Sequence, residues 1–404
     1  EMLAFSLARI KQLGAHEVGH TLGFQHNFAA SLNGRASVMD YPHPLVTINN
    51  EQIDISNAYG VGIGSWDKVT VAYSYSEFNG NEEAELKNIV NKAMLNNERF
   101  VSDGDSRPIG SANAFGHLWD NGPNPIDELQ NVIEIRQLAI DKFSEDNIAE
   151  GESFEALEDL FVLLYFYHRY QTEATVKLIA GKEYGYGLKG EVEKPSKLVS
   201  VSEQKRALDV VLQTLQSNFL IIPRSKLELF PDRGPWGGRN RESFKTRTGS
   251  SFDPLSAAQT AAEFVLVRLL HPERVNRLVN QSGVDTEQLK LEEVLNSLIN
   301  SSLMHTPSEK YELEVQTIIN QTVVSHLMTL AQSEIVYPQV LAIVNASILQ
   351  YQEHLENKKQ RTAQEEETIR SINFYFENPE KTIKMKPVGI PDGSPIGSFS
   401  CGQD

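Results

Sequence analysis

The chain has 404 residues, enough for two or three domains with a sizeable core, and its 40% apolar and 23% charged residues match an ordinary globular protein. A formal net charge of -17 argues against nucleic acid or an anionic membrane as a main partner. The single cysteine, Cys401, excludes an intrachain disulfide, and no stretch approaches the ~18 uninterrupted apolar residues of a membrane span.

The first residues, "EMLAFSLARIKQLG", have neither a basic leader region nor a small-residue cleavage site, so they are not a signal peptide. Leu3, Leu7 and Ile10 recur at helical spacing and run straight into a histidine-bearing stretch. The chain is therefore expected to open within or just before a helix. An upstream part of the same protein, with any export signal, is expected to lie outside it.

The stretch is "AHEVGHTLGFQHNFAASLNGRASVMDY" (15–41), which reads His-Glu-x-x-His-x-x-Gly-x-x-His. On a helix, His16 and His20 project from one face one turn apart, with Glu17 on the neighbouring edge. Two imidazoles on a rigid helix beside a carboxylate make a metal-ligand pair with a general base. Gly23 permits a backbone conformation that a Cβ would resist, so the helix can stop sharply and His26 can return to the same point. The three histidines then fill three positions of a tetrahedral Zn2+ and leave the fourth for water. From this chain's own residue frequencies, a chance match at all five fixed positions is roughly a few in 10^5. The bland alternative makes His16 and His20 ordinary polar residues of an amphipathic helix.

Met39 follows 13 residues after His26, in "SVMDY". That motif with a later methionine resembles the metzincin metallopeptidases. The resemblance implies zinc ligands at His16, His20 and His26, the base at Glu17, the turn glycine at Gly23 and a Met-turn at Met39. Tyr41 resembles the tyrosine that astacin- and serralysin-type members use near the zinc; a packing tyrosine is the other reading. The implied chemistry is peptide hydrolysis by a zinc-activated water. Glu17 accepts its proton and delivers it to the leaving amine, and Tyr41 is an extra donor to the oxyanion.

Beyond the motif the pattern is mostly helical. Residues 64–75 resemble the helix closing a metzincin domain, 81–100 read as helix, and 100–125 read as a Gly/Pro/Asp-rich loop with a short hairpin. Asp103, Asp105 and Asp120 in that loop read as solvated turn residues, with a cation site as the alternative. Asn124-Pro125 and Asp253-Pro254 read as caps with proline at the first helical position, and Thr306-Pro307-Ser308-Glu309 has the form of a capping box. Further helices are expected at 153–181, 203–217, 285–300 and 338–359; the apolar run at 157–171 is broken by charges and reads as buried. His43 and the pair His168-Arg169 read as structural, the basic loop 234–249 as solvated, and 356–370 as a charged helix face.

Phrases such as "DNGPNPIDELQNV", "YFYHRYQTEATVKLIAGKEYGY" and "FKTRTGSSFDPLSAAQTAAEFVLVRLLHPERVNRLV" resemble a family of large bacterial zinc-dependent metalloproteases over most of the chain. The resemblance implies an exported protease (periplasmic, outer-membrane-associated or extracellular) with a further upstream region, and names no substrate beyond peptide or protein. The expected architecture is mainly α with little β. It comprises the C-terminal part of a metzincin catalytic domain at 1–80 (zinc helix, Met-turn, closing helix), a helical domain at 81–385 and a Pro/Gly-rich tail at 386–404. Fifteen residues before His16 cannot build the sheet of a metzincin's upper cleft wall, so this span alone is expected to be weakly active. The alternative function is a noncatalytic helical scaffold with a remnant zinc site; zinc hydrolysis of a non-peptide substrate is a third possibility.

Overall fold

Twenty residues from Met2 to Thr21 form helix α1, and its end is set by one glycine. Gly23 has φ +87°; its N–H bonds to the His20 carbonyl at 2.9 Å, and that of Phe24 to the Gly19 carbonyl at 3.0 Å. This is the Schellman pair of bonds, which uses carbonyls that a helix end leaves unpaired and reverses the chain. The computed structural model describes residues 2–189, 196–234, 238–378, 381 and 391. The tail expected at 386–404, with Cys401, lies outside the described residues apart from Pro391. Helix accounts for 58% and strand for 3%, so the chain is mainly α with little β.

The chain divides into two compact units, Glu1–Leu138 with Tyr170–Ala207, and Ala139–Arg169 with Leu208–Asp404. In the first unit, hairpin β1 (Thr47–Asn49) and β2 (Gln52–Asp54) comes after α1. Asn50 and Glu51 at its tip both have positive φ, the backbone that matches strand twist in a two-residue turn. Then come α2 (Ser65–Tyr75), α3 (Glu82–Leu95), capped by Asn81, and the single turn α4 (Asp103–Ser106). The hairpin expected within 100–125 does not form. Residues 112–114 pair instead with Lys182 of β3 (Lys182–Glu183), which also pairs with β4 (Lys197–Leu198). Residues 99–119 also bond back onto the histidine region: Phe28 N–H to Val101 O at 2.8 Å, His117 N–H to Phe28 O at 3.0 Å and Trp119 N–H to Tyr41 O at 2.9 Å. Residues 1–80 and 81–138 both lie in this unit.

Gly64, just before α2, shows how tightly this region is packed. A Cβ there would lie 1.9 Å from the Ala36 carbonyl oxygen and 2.7 Å from the Ser37 nitrogen, both backbone atoms that cannot swing aside. Gly64→Ala is expected to lower stability by about 1–3 kcal/mol, read from the denaturant midpoint; an unchanged midpoint would contradict this close approach.

Asn124 accepts the Ile126 N–H at 2.9 Å and starts α5 (Pro125–Lys142), as the cap-proline pair predicts. The helix expected over 153–181 is two, α6 (Glu155–Tyr165) and α7 (Arg169–Val176), because the Tyr167 and Arg169 N–H groups make turn bonds to residues three back. Residues 203–217 give α8 (Val201–Gln213), and after it come α9 (Ser217–Leu220) and α10 (Arg224–Leu227).

The second unit is built around α11 (Pro254–Leu269), whose start Asp253 caps through the Ser256 N–H at 2.9 Å. Ala257, Ala258, Ala261, Ala262, Val265 and Leu266 are buried right round it, the pattern of a central helix. It packs on α14 (Lys310–Ala331), which packs on α15 (Pro338–Glu356), and α15 on α16 (Ala363–Glu377). Helices α12 (Pro272–Val284) and α13 (Leu291–Leu298) pack on α15 as well.

Three sequence expectations need correction here. Residues 285–290 form a turn, so the 285–300 helix starts only at Leu291 and ends in a π-helical turn, Ile299–Leu303. Helix α14 is capped not by Thr306 but by Glu309, whose carboxylate takes the Tyr311 and Glu312 N–H groups at 2.7 and 3.0 Å. The charged face at 356–370 is two helices. Between them Thr362 and Glu365 exchange side-chain-to-backbone bonds at 3.2 and 2.8 Å, a capping box that starts α16.

The basic loop is also not simply solvated. Arg239 donates to the buried Glu158 carboxylate at 2.9 and 3.1 Å and to the carbonyls of Gly249, Ser250 and Ser251. Phe244 from the same loop is buried against Phe161 and Tyr165 of α6. Among the described residues no helix is long and apolar enough to cross a membrane.

Candidate metal centre

Helix α1 puts His16 and His20 one turn apart, and the turn at Gly23 returns His26 to them. The ring centroids are 4.7 Å (His16–His20), 5.2 Å (His16–His26) and 4.7 Å (His20–His26) apart. Each histidine's Nδ1 is committed elsewhere. His16 Nδ1 lies 2.7 Å from the Val38 carbonyl oxygen, His20 Nδ1 3.0 Å from that of Phe24, and His26 Nδ1 2.9 Å from the Asp103 carboxylate. Carbonyls and carboxylates only accept, so each Nδ1 carries a proton and Nε2 is the ring nitrogen left to ligate.

Those Nε2 atoms converge. One ligand atom from each histidine lies within 4.8 Å of the others, and the His20 and His26 Nε2 atoms are 3.2 Å apart. Two lone pairs at that distance repel unless a cation sits between them. Two ligands about 2.0–2.1 Å from a tetrahedral ion lie about 3.3–3.4 Å apart. The His16 Nε2 is buried with no hydrogen-bond partner, an orphan that a metal ion would satisfy. Burial, with the neighbouring His20 and His26 charges, pushes His16 down to about 4 against the opposing Val38 bond. It is therefore neutral, and ready to ligate, at physiological pH. The residues present fit a Zn2+ ion.

Other expected site residues gather around these three. Met39 is buried beneath α1: a Cβ on Gly19 would lie 2.2 Å from its Sδ, which accounts for the second glycine of the helix. The Tyr41 ring lies 4.8 Å from that of His26 and 5.4 Å from that of His16, stacked on Trp119 at 5.0 Å. Glu17 is exposed beside His16, and its charge acts on that ring. Among the described residues it makes no hydrogen bond or ion pair. His43 is not part of the cluster; its ring lies against Tyr170 at 5.8 Å. His168 is buried edge-on to Phe219, in the other unit.

Sequence reasoning does not pick out three residues that hold the site. Asp67 of α2 accepts the Ser37 hydroxyl at 2.6 Å and the N–H groups of Val38 and Gly64 at 2.8 and 2.7 Å. It thereby clamps the turn whose carbonyl orients His16; an aspartate three residues after a glycine cap is the signal that was available. Asp103 holds His26 through one carboxylate oxygen and Arg107 through the other. Burial alone would raise Asp103, but the hydrogen bonds from His26 and Arg107 outweigh it and bring it to about 2.

Asp103, Asp105 and Asp120 are not brought together as a group of candidate cation ligands among the described residues. Asp105 takes the Tyr184 and Tyr186 hydroxyls at 2.5 and 2.7 Å, and Asp120 takes that of Ser31 at 3.0 Å. The histidines are the one group of three candidate ligands found among the described residues.

Asp120 faces the charge of Asp40, and both are buried. Burial raises Asp40, with the Asp120 charge adding to it; burial pushes Asp120 up to about 7 against the Ser31 hydrogen bond and the Lys177 charge. Both folded values lie above the unfolded value of about 3.9, so folding favours the neutral forms. The Asp120 contribution is full below about pH 4 and lost as pH rises through about 7. Asp120→Asn is expected to relieve that loss, so its melting temperature minus the parent's should grow more positive from about pH 4 to pH 8. A difference that stays constant would contradict the assignment.

A family model described as Met-zincin matches residues 1–309. No curated protein and no solved structure gives a significant match.

Proposed function

Because this chain belongs to the Met-zincin family, we propose that it is a zinc-dependent endopeptidase acting on peptides or proteins. His16, His20 and His26 hold the zinc, Glu17 is the general base and Tyr41 a hydrogen-bond donor at the reacting carbonyl. Helix α1, the turn at Met39 and helix α2 then correspond to the zinc helix, Met-turn and closing helix of a metzincin catalytic domain. Export from the cytoplasm belongs to the same proposal, on the family resemblance alone.

One observation carries the reading: one ligand atom from each of the three histidines lies within 4.8 Å of the others while every Nδ1 is bonded to an acceptor. When bound, zinc would supply Lewis acidity, acidifying a water molecule and polarising the scissile carbonyl. The carboxylate of Glu17, exposed and without a competing partner, takes the proton from the attacking water. It then returns that proton to the leaving amine nitrogen as the carbon–nitrogen bond breaks. The Tyr41 hydroxyl donates to the oxygen on which negative charge develops. Gly23 and Met39 take no chemical step; they shape the turn and the floor.

Metal analysis with a cleavage assay on unfolded casein tests this. The parent chain is expected to hold about one zinc, and His16→Ala to lose both metal and cleavage. Equal zinc in the two proteins would overturn the ligand assignment.

A further inference from the structure

His16 and His20 ride on a rigid helix, and backbone carbonyls orient both. His26 lies past the helix end, where neither support reaches it. Side chains hold it instead, and they form a closed circuit. Asp103 accepts from His26 at 2.9 Å and from Arg107 through its other oxygen. The Arg107 guanidinium lies over the rings of Phe28 and Tyr41, 5.5 and 5.4 Å from their centroids. Phe28 stacks on the His26 ring at 5.1 Å, and Tyr41 meets its edge.

Asp103 alone would be a loose support, since its side chain is 40% exposed. An exposed carboxylate with one partner exchanges that partner for water easily. Arg107 removes that freedom. It engages the second carboxylate oxygen from a position fixed by two aromatic faces, where a guanidinium is held by its planar charge. A lysine could keep the ion pair with Asp103 but would stack less well.

We propose that Asp103 and Arg107 are positioning residues of the metal centre: Asp103 fixes the tautomer and direction of the third ligand, and Arg107, pinned on Tyr41 and Phe28, fixes Asp103. This rests on the proposed zinc site and extends it to residues 77 and 81 positions beyond His26. The pair touches neither substrate nor metal. Because the brace reaches Tyr41 as well as His26, it also sets where the phenol stands relative to the third ligand.

The test is a metal titration of the whole chain and its variants, with zinc affinity from chelator competition and ligand geometry from the visible spectrum of bound Co2+. Asp103→Asn is expected to weaken zinc about 10–100-fold and shift the cobalt bands. Arg107→Met is expected to weaken it several-fold, and Arg107→Lys to restore most of that. Because Arg107 acts on the ligand through Asp103, the double variant Asp103→Asn/Arg107→Met should bind as Asp103→Asn alone does. Circular dichroism checks that each variant is folded. Should Asp103→Asn unfold, Asp103→Glu and the two Arg107 variants carry the comparison, with the same ranking expected.

Affinities within about twofold of the parent, or fully additive effects in the double variant, would overturn the proposal. A parent chain that binds no zinc would defeat the metal reading itself. A parent that binds tightly beside unaffected variants would defeat only the brace.

Discussion

Glu17→Ala is expected to cut peptide-bond cleavage by about 10^2–10^4-fold while leaving zinc content and affinity close to the parent's. The two effects separate because Glu17 takes no part in holding the ligands. The three Nδ1 protons go to Val38, Phe24 and Asp103, so removing Glu17 leaves each imidazole in place. Its carboxylate is exposed next to His16 and unpaired among the described residues, as a group that must accept and release a proton should be. Glu17→Gln, which keeps the shape and removes the basic oxygen, is expected to fall as far. Cleavage at the parent rate in either variant would remove Glu17 from the mechanism. A parent that binds zinc and cleaves nothing, with no change in the variants, is the outcome the scaffold reading requires.

The largest structural effect is expected in the second unit. Glu158 on α6 is almost wholly buried and takes Arg239 on both oxygens, at 2.9 and 3.1 Å, and Arg233 at 3.3 Å. Both guanidinium groups are themselves largely buried. Removing one partner of such a cluster leaves charge in a poorly solvated place, at a cost of about 3–5 kcal/mol. Glu158→Ala is therefore expected to destabilise this unit by that much in denaturant melts, and to speed amide exchange around residues 249–251, whose carbonyls Arg239 also holds. Asp159 still pairs with Arg233, which keeps the loss below that of two stranded cations. A loss under about 1 kcal/mol would mean that the loop is held by Phe244 and its aromatic neighbours instead.

Only the part of the centre that lies along one short stretch of backbone is legible in the sequence. His16, His20 and Gly23 can be read because helical periodicity and a left-handed stop are local properties, and His26 because it comes within three residues of the stop. The positions of Met39 and Tyr41 come from a family pattern rather than from physics at those residues. Asp103 reads in sequence as a turn carboxylate, since nothing in 100–125 says that its backbone will lie against 26–41. That placement comes from long-range bonds such as Phe28 to Val101 and Trp119 to Tyr41. Asp67 and Arg107 are hidden for the same reason.

The helical content of the remainder is readable from apolar spacing, and its cap-proline starts at 125 and 254 lie where cap chemistry predicts. Its breaks are not. The turns at 166–168 and 357–362 contain no proline or glycine to mark them. The first is recorded only in three-residue turn bonds and the second in the Thr362–Glu365 box. Arg239 shows the opposite error: its charge suggests solvent, while Glu158, 81 positions earlier, decides its place.

X-ray absorption at the zinc edge of the metal-loaded chain tests the convergence of the three imidazoles most directly. Three nitrogen scatterers and one oxygen at about 2.0–2.1 Å, with the outer-shell signature of imidazole rings, are expected. Fewer than three imidazoles, or a six-coordinate shell at longer distances, would contradict the three-histidine centre and the hydrolytic chemistry built on it.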